Sequence, residues 1–378
     1  MKYEIDFDSI PTPCYLLDER KLIKNLVLLQ EVIKESGASI LCALKGYALW
    51  NTFPLLSEYL SGATASSLHE AQLVHNYWKG KAHVCAPVYV PSEMDQILEK
   101  ASHITFNSLS EWERYKEKVR KTDVSPGLRI NPEYSEIETE LYNPASPDSR
   151  LGIKVDDLTQ LPEEIEGLHF HVLCEQDSFV LERVLEKIET QFGELLHQVK
   201  WVNMGGGHHI TRSNYDTDHL IRLVKAFAAK YQVEVILEPG EAIGWETGFL
   251  VSEVLDVIPN GKRNIAMLDT SFTCHMPDCL EMPYKPFVIG AISPNDFFPT
   301  YIMGGMTCLA GDQIGDYSFL QPLRVGDKVI FHDMIHYTMV KTSTFNGVRL
   351  PSIGVWTKED TFQLIREYGY EEYVGRLS

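Results

Sequence analysis

Three features of this chain are placed to do chemistry: a lysine, a run of three glycines and a glutamate, each at the end of a short apolar run. Lys45 closes Ile40-Leu-Cys-Ala-Leu44 and is followed by Gly46, where a chain can turn sharply. An ammonium at the tip of a buried strand is partly desolvated, which lowers its pKa and frees the amine as a nucleophile. A surface lysine that merely follows a strand has the same local sequence. Gly205, Gly206 and Gly207 end a later run, and successive glycines leave N–H groups free to converge on an anion. They serve a tight, closely packed turn equally well. Glu238 ends Val233-Glu-Val-Ile-Leu237 and suits an N-cap, an ion pair or the carboxylate beneath a cofactor nitrogen.

His169 and His171 lie two apart and so share one face of a strand. With His208 and His209 they could hold a divalent metal in a hydrolase, or at least one could be structural. A metal leaves Lys45 and the three glycines unexplained, so no metal is expected. Amine, anion nest and acid together fit one molecule, pyridoxal 5′-phosphate, which needs a lysine for its aldehyde, a nest for its phosphate and an acid for its pyridine nitrogen.

Positioning these residues is the task of an alternating pattern. After a strand-like run at 12–17, Asp18 is placed as an N-cap for a helix over Glu19–Glu35, which has apolar residues at Leu22, Leu26, Leu29 and Ile33 and is closed by Gly37. Strand-like runs then fall at 40–44, 62–66, 82–86, 103–106, 127–131, 167–172, 200–204 and 233–238. Helical stretches at 52–60, 67–79, 92–100, 108–120, 178–193 and 216–230 separate most of them, and 132–166 is a long irregular excursion. Eight strands alternating with helices point to a parallel (β/α)8 barrel of the TIM type, in which chemistry gathers at the C-terminal strand ends. An open doubly wound sheet is the alternative. From about Trp245 the helical spacing gives way to strand-like runs at 247–258, 264–268, 287–291, 328–331 and 337–341. The expected organisation is therefore an α/β barrel over 18–243 followed by a mainly β domain over 244–378, joined by residues 1–17.

With 378 residues, 44% apolar and 23% charged, the chain reads as folded and two-domained. No apolar run approaches the roughly 18 residues of a membrane span. The opening residues carry acids where a secretion signal carries bases, so a cytoplasmic location is expected. Acids outnumber bases 53 to 34, a formal charge of −19, which repels nucleic acid and anionic membrane and favours cationic small molecules. Cys14, Cys42, Cys85, Cys174, Cys274, Cys279 and Cys308 are scattered without a C-x-x-C, as reduced thiols and neither a disulfide framework nor a zinc site.

These residues, in this order, resemble the fold-type III pyridoxal-phosphate decarboxylases, the ornithine and diaminopimelate decarboxylase group. Several segments are similar to the branch that acts on carboxynorspermidine and carboxyspermidine: Ala43-Leu-Lys-Gly-Tyr-Ala48, Thr64-Ala-Ser-Ser-Leu-His-Glu-Ala71, Ser149-Arg-Leu-Gly-Ile153, Leu173-Cys-Glu-Gln176 and Asn203-Met-Gly-Gly-Gly-His-His-Ile-Thr211. The likeness continues through His275-Met-Pro-Asp278, Glu281-Met-Pro-Tyr-Lys-Pro286, Gly304-Gly-Met-Thr-Cys-Leu-Ala-Gly-Asp312 and Lys341-Thr-Ser-Thr-Phe-Asn-Gly347. The resemblance implies that Lys45 carries the cofactor, that His171 stacks on its ring, that Gly205, Gly206, Gly207 and Tyr337 take its phosphate, and that Glu238 pairs with its pyridine nitrogen. It also implies that Cys308 protonates the substrate carbon from the other subunit of a homodimer, and that Asp269 helps to bind a cationic, polyamine-like substrate.

Two departures from the group's pattern stand out. Glu241 occupies the place of an arginine that contacts phosphate, and Leu309 follows the cysteine where the ornithine enzymes carry an aspartate. Ornithine is thereby disfavoured, and Asp312, Asp278 or Glu281 is left to meet the distal amine. Decarboxylation of diaminopimelate, ornithine or arginine, racemisation, and an inactive cofactor-binding regulator are the competing readings. The roles of His169, His208, His209 and Arg150 stay open, as does the choice between two substrates one methylene apart, worth about 1–3 kcal/mol in a pocket.

Overall fold

The computed structural model describes residues 5–282 and 284–378. The first four residues used in the secretion-signal reading, and Pro283 of the Glu281–Pro286 segment, lie outside the described residues. The chain forms two compact units, residues 25–243 and residues 1–24 with 244–378.

The first strand in the chain, β1 (Cys14–Asp18), belongs to the second unit. The first unit is a closed barrel of eight parallel strands: β2 (Ser39–Ala43), β3 (Gly62–Ala65), β4 (Ala82–Cys85), β5 (Ala101–Phe106), β6 (Ser125–Arg129), β7 (Gly167–His169), β8 (Trp201–Asn203) and β9 (Glu234–Leu237). Ser39 pairs with Ile236 and Ile40 with Leu237, which closes the ring. Each of the eight expected runs forms a strand, most of them a little shorter than the apolar run. In the run at 167–172 the strand ends at His169, with Phe170 N still donating to Asn203 O at 2.9 Å.

Helices follow the strands in the expected places, and polar caps start them. Ser67 Oγ accepts the Glu70 amide, Ser108 Oγ accepts the Glu111 amide, Asp177 Oδ1 accepts the Phe179 and Val180 amides, and Asp216 Oδ1 accepts the His219 amide. Trp201 fills the lower barrel. A Cβ on Gly167 would lie 2.0 Å from its indole and one on Gly127 2.3 Å, so these two strand glycines make the space the ring occupies. The indole N–H is not wasted: it donates to Ser125 Oγ at 2.8 Å. Residues 132–166 hold short helical turns at Glu140–Tyr142 and Val155–Asp157 and an isolated parallel bridge from Ile153 to Ile130.

The second unit is a nine-stranded sheet. It contains β1, β10 (Gly248–Asn260), β11 (Arg263–Leu268), β12 (Ala291–Ile292), β13 (Thr300–Gly304), β14 (Gln313–Phe319), β15 (Lys328–His332), β16 (Ser352–Trp356) and β17 (Phe362–Arg366), ordered β12-β14-β13-β11-β10-β1-β16-β17 with β15 on β10. β1 runs antiparallel to β10 and parallel to β16, so the N-terminal residues are an inner strand of this sheet. Ile10, Cys14, Leu16, Phe249, Val251 and Trp356 form its core.

Two expectations for this unit need correction. The run at 287–291 contributes only an isolated bridge at Val288 and the first residue of β12. Tyr337–Lys341 is not a strand: Tyr337–Val340 is one helical turn, and Thr338 inside it donates to Asp278 Oδ2 at 2.9 Å, a tertiary contact that overrides the β-branched, aromatic composition. Among the described residues no helix is long and apolar enough to cross a membrane.

Candidate active site

The C-terminal ends of the barrel strands carry the polar residues. Lys45 lies two residues beyond β2, and its Nζ is 3.4 Å from His171 Nε2. The Gly206 amide donates to His171 Nδ1 at 2.8 Å, so the neutral ring carries its proton on Nε2, facing the lysine. Burial, then the charges of Lys45 and Arg129, hold His171 well below the usual histidine range. Burial also lowers the Lys45 amine, against the pull of the Glu238 carboxylate. Lys45 keeps exposed surface although barrel atoms surround its ammonium, and the water that reaches it moderates that depression. A lysine so placed gives up its proton more readily than an ordinary lysine, which favours the amine as a nucleophile.

Glu238 follows β9 and is buried. Asn203 Nδ2 donates to its Oε1 at 2.6 Å, and His169 Nε2 stands 3.7 Å from its Oε2. Burial pushes a carboxyl up, but His169 and Asn203 outweigh it and hold Glu238 at about 2. Burial likewise opposes charge on His169, yet Cys85, whose Sγ lies 3.9 Å from Nδ1, and Glu238 raise it to about 9. Glu238 is therefore a fixed negative charge, able to hold a proton on a ring nitrogen.

The glycines form a cradle no side chain could share. A Cβ on Gly205 would lie 2.5 Å from Phe170 O, one on Gly206 2.5 Å from Glu238 O, and one on Gly207 2.1 Å from Leu173 O. The picture of three convergent free amides changes in one respect. Gly205 N donates to Asn203 Oδ1 and Gly206 N to His171 Nδ1, so these two amides orient side chains. Among the described residues the amides of Gly207 and His208 have no acceptor, and they are the ones free to meet an anion.

Sequence reasoning missed Arg129, Asn203 and Cys85. Arg129 is buried at the end of β6 and donates to His171 O at 3.3 Å. All three are the last residues of barrel strands, so the rule that selected Lys45 would have selected them. His208 is a packed structural ring, buried, held low at about 4 by that burial, with Nε2 3.4 Å from Met204 O. His209 Nε2 lies 4.0 Å from Glu241 Oε2, and Arg150 is an exposed side chain. Among the described residues no group of three His, Cys, Asp or Glu side chains could hold a metal.

The remaining predicted residues lie in the second unit. Cys308 is exposed, with its amide donating to Asn346 Oδ1 at 3.0 Å. Asp269 Oδ1 accepts from Ser252 Oγ and the Glu253 amide. Asp278 is buried. Its Oδ2 accepts from Tyr284 and Thr338 hydroxyls, both at 2.9 Å, while Oδ1 has no partner among the described residues. Glu281 is paired with Lys341. Tyr337 opens the helical turn that carries Thr338. Asp312 is buried, and both of its carboxylate oxygens are fully engaged by Ser271, Phe272, Thr273 and Thr307.

A parallel barrel with lysine, acid and anion cradle at its strand ends, in a chain that also carries a mainly β unit, defines a class of pyridoxal-dependent enzyme. The family model described as pyridoxal-dependent decarboxylase, C-terminal sheet domain, matches residues 14–335, and the chain belongs to that decarboxylase family. Within it, the chain is 49% identical to a carboxyaminopropylagmatine decarboxylase of Synechocystis sp., over 98% of this chain and 96% of that one. It is 45% identical to a carboxynorspermidine/carboxyspermidine decarboxylase of Campylobacter jejuni, over 97% and 98% of the two chains. The crystal structure of carboxynorspermidine decarboxylase complexed with norspermidine, from Campylobacter jejuni, superposes with a TM-score of 0.91 at 44% identity, covering 97% of this chain and all 100% of that one.

Proposed function

We propose that this chain decarboxylates carboxynorspermidine or carboxyspermidine, releasing carbon dioxide and norspermidine or spermidine, with pyridoxal 5′-phosphate as its cofactor. The observation that carries this reading is the 3.4 Å approach of Lys45 Nζ to a His171 ring whose orientation is fixed by Gly206, on the same strand-end face as the ionised Glu238.

When bound, the cofactor supplies an aldehyde carbon for an amine and a ring that accepts the electron pair left by a departing carboxylate. Lys45 Nζ would hold the cofactor at its aldehyde carbon. His171, its Nδ1 anchored by the Gly206 amide, would lie against the cofactor ring. The Gly207 and His208 amides would take phosphate oxygens in the space the side-chain-free glycines leave open. Glu238 would keep a proton on the ring nitrogen, and Asn203 and His169 keep Glu238 ionised. Cys308 of the partner subunit returns a proton to the substrate carbon in a homodimer with shared sites.

For the distal ammonium, the acids differ in what they have left to offer. Asp312 has no free acceptor capacity and Glu281 is paired with Lys341, whereas Asp269 accepts from Ser252 and Glu253 through Oδ1 alone. Asp278 retains one buried oxygen without a partner, a costly arrangement unless a cation meets it. Asp278 is therefore assigned that role, with Asp269 as the other acid whose second oxygen accepts no hydrogen bond among the described residues.

The Synechocystis relative favours a second reading, carboxyaminopropylagmatine, whose far end is a guanidinium in place of an ammonium. The test is carbon dioxide release by the purified, cofactor-loaded protein from carboxynorspermidine, carboxyspermidine, carboxyaminopropylagmatine, ornithine and diaminopimelate in parallel. Release from either of the first two supports the reading. Release from the third alone moves the substrate to the agmatine compound, and release only from ornithine or diaminopimelate overturns it. No release from any of them, with cofactor bound, identifies an inactive regulator.

A further inference from the structure

We propose that Asp312 is a positioning residue for Cys308, a single carboxylate that ties the Cys308 loop to the Ser271–His275 segment and fixes where the thiol is presented. The inference rests on the reading of Cys308 as the residue that protonates the substrate carbon.

Asp312 lies four residues beyond Cys308 and is 4% exposed. Its Oδ1 accepts the amides of Phe272 at 2.7 Å and Thr273 at 3.1 Å, and the Ser271 hydroxyl reaches both oxygens, at 3.1 and 2.9 Å. Its Oδ2 accepts the Thr307 amide at 2.9 Å and the Thr307 hydroxyl at 2.7 Å. An ionised carboxylate offers about four lone-pair sites, and these donors fill them. No capacity is left for a substrate amine, so Asp312 does not act by touching substrate.

What the donors have in common is their position. Ser271, Phe272 and Thr273 begin the helical turn Phe272–His275, and Thr307 immediately precedes Cys308. The Thr307 hydroxyl also accepts the Leu309 amide at 3.3 Å, so the residues on both sides of Cys308 are referred to the same carboxylate. The backbone repeats the tie: Gly305 N donates to Asp312 O at 2.7 Å and Asp312 N to Leu309 O at 2.9 Å. A Cβ on Gly305 would lie 2.5 Å from the carboxylate, so the loop closes on Asp312 as tightly as glycine allows. The Cys308 amide is held separately by Asn346 Oδ1, which leaves the thiol as the loop's exposed, uncommitted group.

Placement matters because the proton has two destinations. Once carbon dioxide has left, transfer to the substrate carbon breaks the Sγ–H bond and forms a C–H bond, and the thiolate recovers its proton from water. If the thiol is misplaced, a proton is added instead at the carbon derived from the cofactor aldehyde. Water then releases the substrate skeleton as a carbonyl compound and leaves its nitrogen on the cofactor. Carbon dioxide formed then exceeds amine formed, and activity decays until fresh pyridoxal 5′-phosphate is added.

The experiment compares Asp312→Asn, Thr307→Val and Thr307→Ser with Cys308→Ala in the cofactor-loaded enzyme. Asp312→Asn and Thr307→Val are expected to lower kcat about tenfold to a hundredfold, with KM changed by no more than about twofold, and to raise the ratio of carbon dioxide to amine above that of the wild type. Thr307→Ser, which keeps the hydroxyl, restores both. In the apoprotein, amide exchange at residues 305–309 quickens in the first two variants only. If Asp312→Asn does not fold, the Thr307 pair decides. A wild-type product ratio and kcat in Thr307→Val and Asp312→Asn, with a raised ratio in Cys308→Ala, overturns the role of Asp312 alone. A wild-type ratio in Cys308→Ala overturns the reading of Cys308 on which it rests.

Discussion

His169 Nε2 stands 3.7 Å from Glu238 Oε2 inside the barrel, and the two groups hold each other charged against the burial that would neutralise both. This pairing has a sign in pH. Glu238, depressed to about 2, stabilises the fold above its ordinary pKa near 4.3 and loses that contribution as pH falls toward 2. His169, raised to about 9, contributes below its ordinary value near 6.5, and its contribution is lost as pH rises from there through 9. Cys85, whose thiol burial raises but His169 and Arg129 hold below its ordinary range, faces the same pair and offsets part of the His169 loss above neutral pH.

The apoprotein should therefore lose melting temperature between about pH 6.5 and 9, and His169→Gln should show a smaller loss over the same window. Thermal unfolding at closely spaced pH values checks this. Equal losses in wild type and variant would contradict the pairing.

Glu238→Gln should lower kcat by about 10²–10⁴-fold, the range typical of a lost acid–base group, while the protein still takes up cofactor through Lys45. It should also drop the His169 pKa, read by nitrogen NMR of the imidazole in the apoprotein. A His169 pKa that stays near 9 without the carboxylate would show that Cys85 alone sets it.

Much of this site was legible in the sequence because a barrel places its chemistry at strand ends. Lys45, His171 and Glu238 each follow an apolar run, and the structure gathers them. The glycine run was legible as a cradle, but its hydrogen bonds were not. That Gly205 and Gly206 spend their amides on Asn203 and His171 depends on side chains from neighbouring strands, which no local pattern reports. The sheet unit was less readable. β13, β14, β16 and β17 carry no helical spacing but are interrupted by polar residues and turns, and Tyr337–Val340 has strand composition in a helical turn held by Thr338. Asp312 is one of three acids the sequence leaves open for the distal amine, and only the structure reveals that five donors already engage its oxygens.

Gly207→Ala should be the most damaging of the three glycine changes. The residue has φ of +84°, and its new Cβ would meet Leu173 O at 2.1 Å. A loss of about 1–3 kcal/mol in stability is expected, read by denaturant unfolding of the apoprotein. Affinity should fall more for pyridoxal 5′-phosphate than for pyridoxal, because the distorted loop bears the amides assigned to phosphate. Unchanged preference between the two would remove Gly207 from the phosphate site.

Asp278→Asn should raise KM for carboxynorspermidine about 10- to 100-fold, the worth of a hydrogen bond to a charged group, with a smaller effect on kcat. Glu281→Gln should change KM little, since Lys341 already occupies that carboxylate. Steady-state kinetics of the two variants side by side distinguishes them, and the reverse order would move the distal ammonium to Glu281.

The central claim is that Lys45 carries the cofactor, and borohydride reduction of the cofactor-loaded protein followed by peptide mapping tests it most directly. The account predicts one pyridoxyl group per chain, on Lys45, with Lys45→Ala unlabelled there and turnover abolished. A label on another lysine, or full turnover by Lys45→Ala, would contradict it.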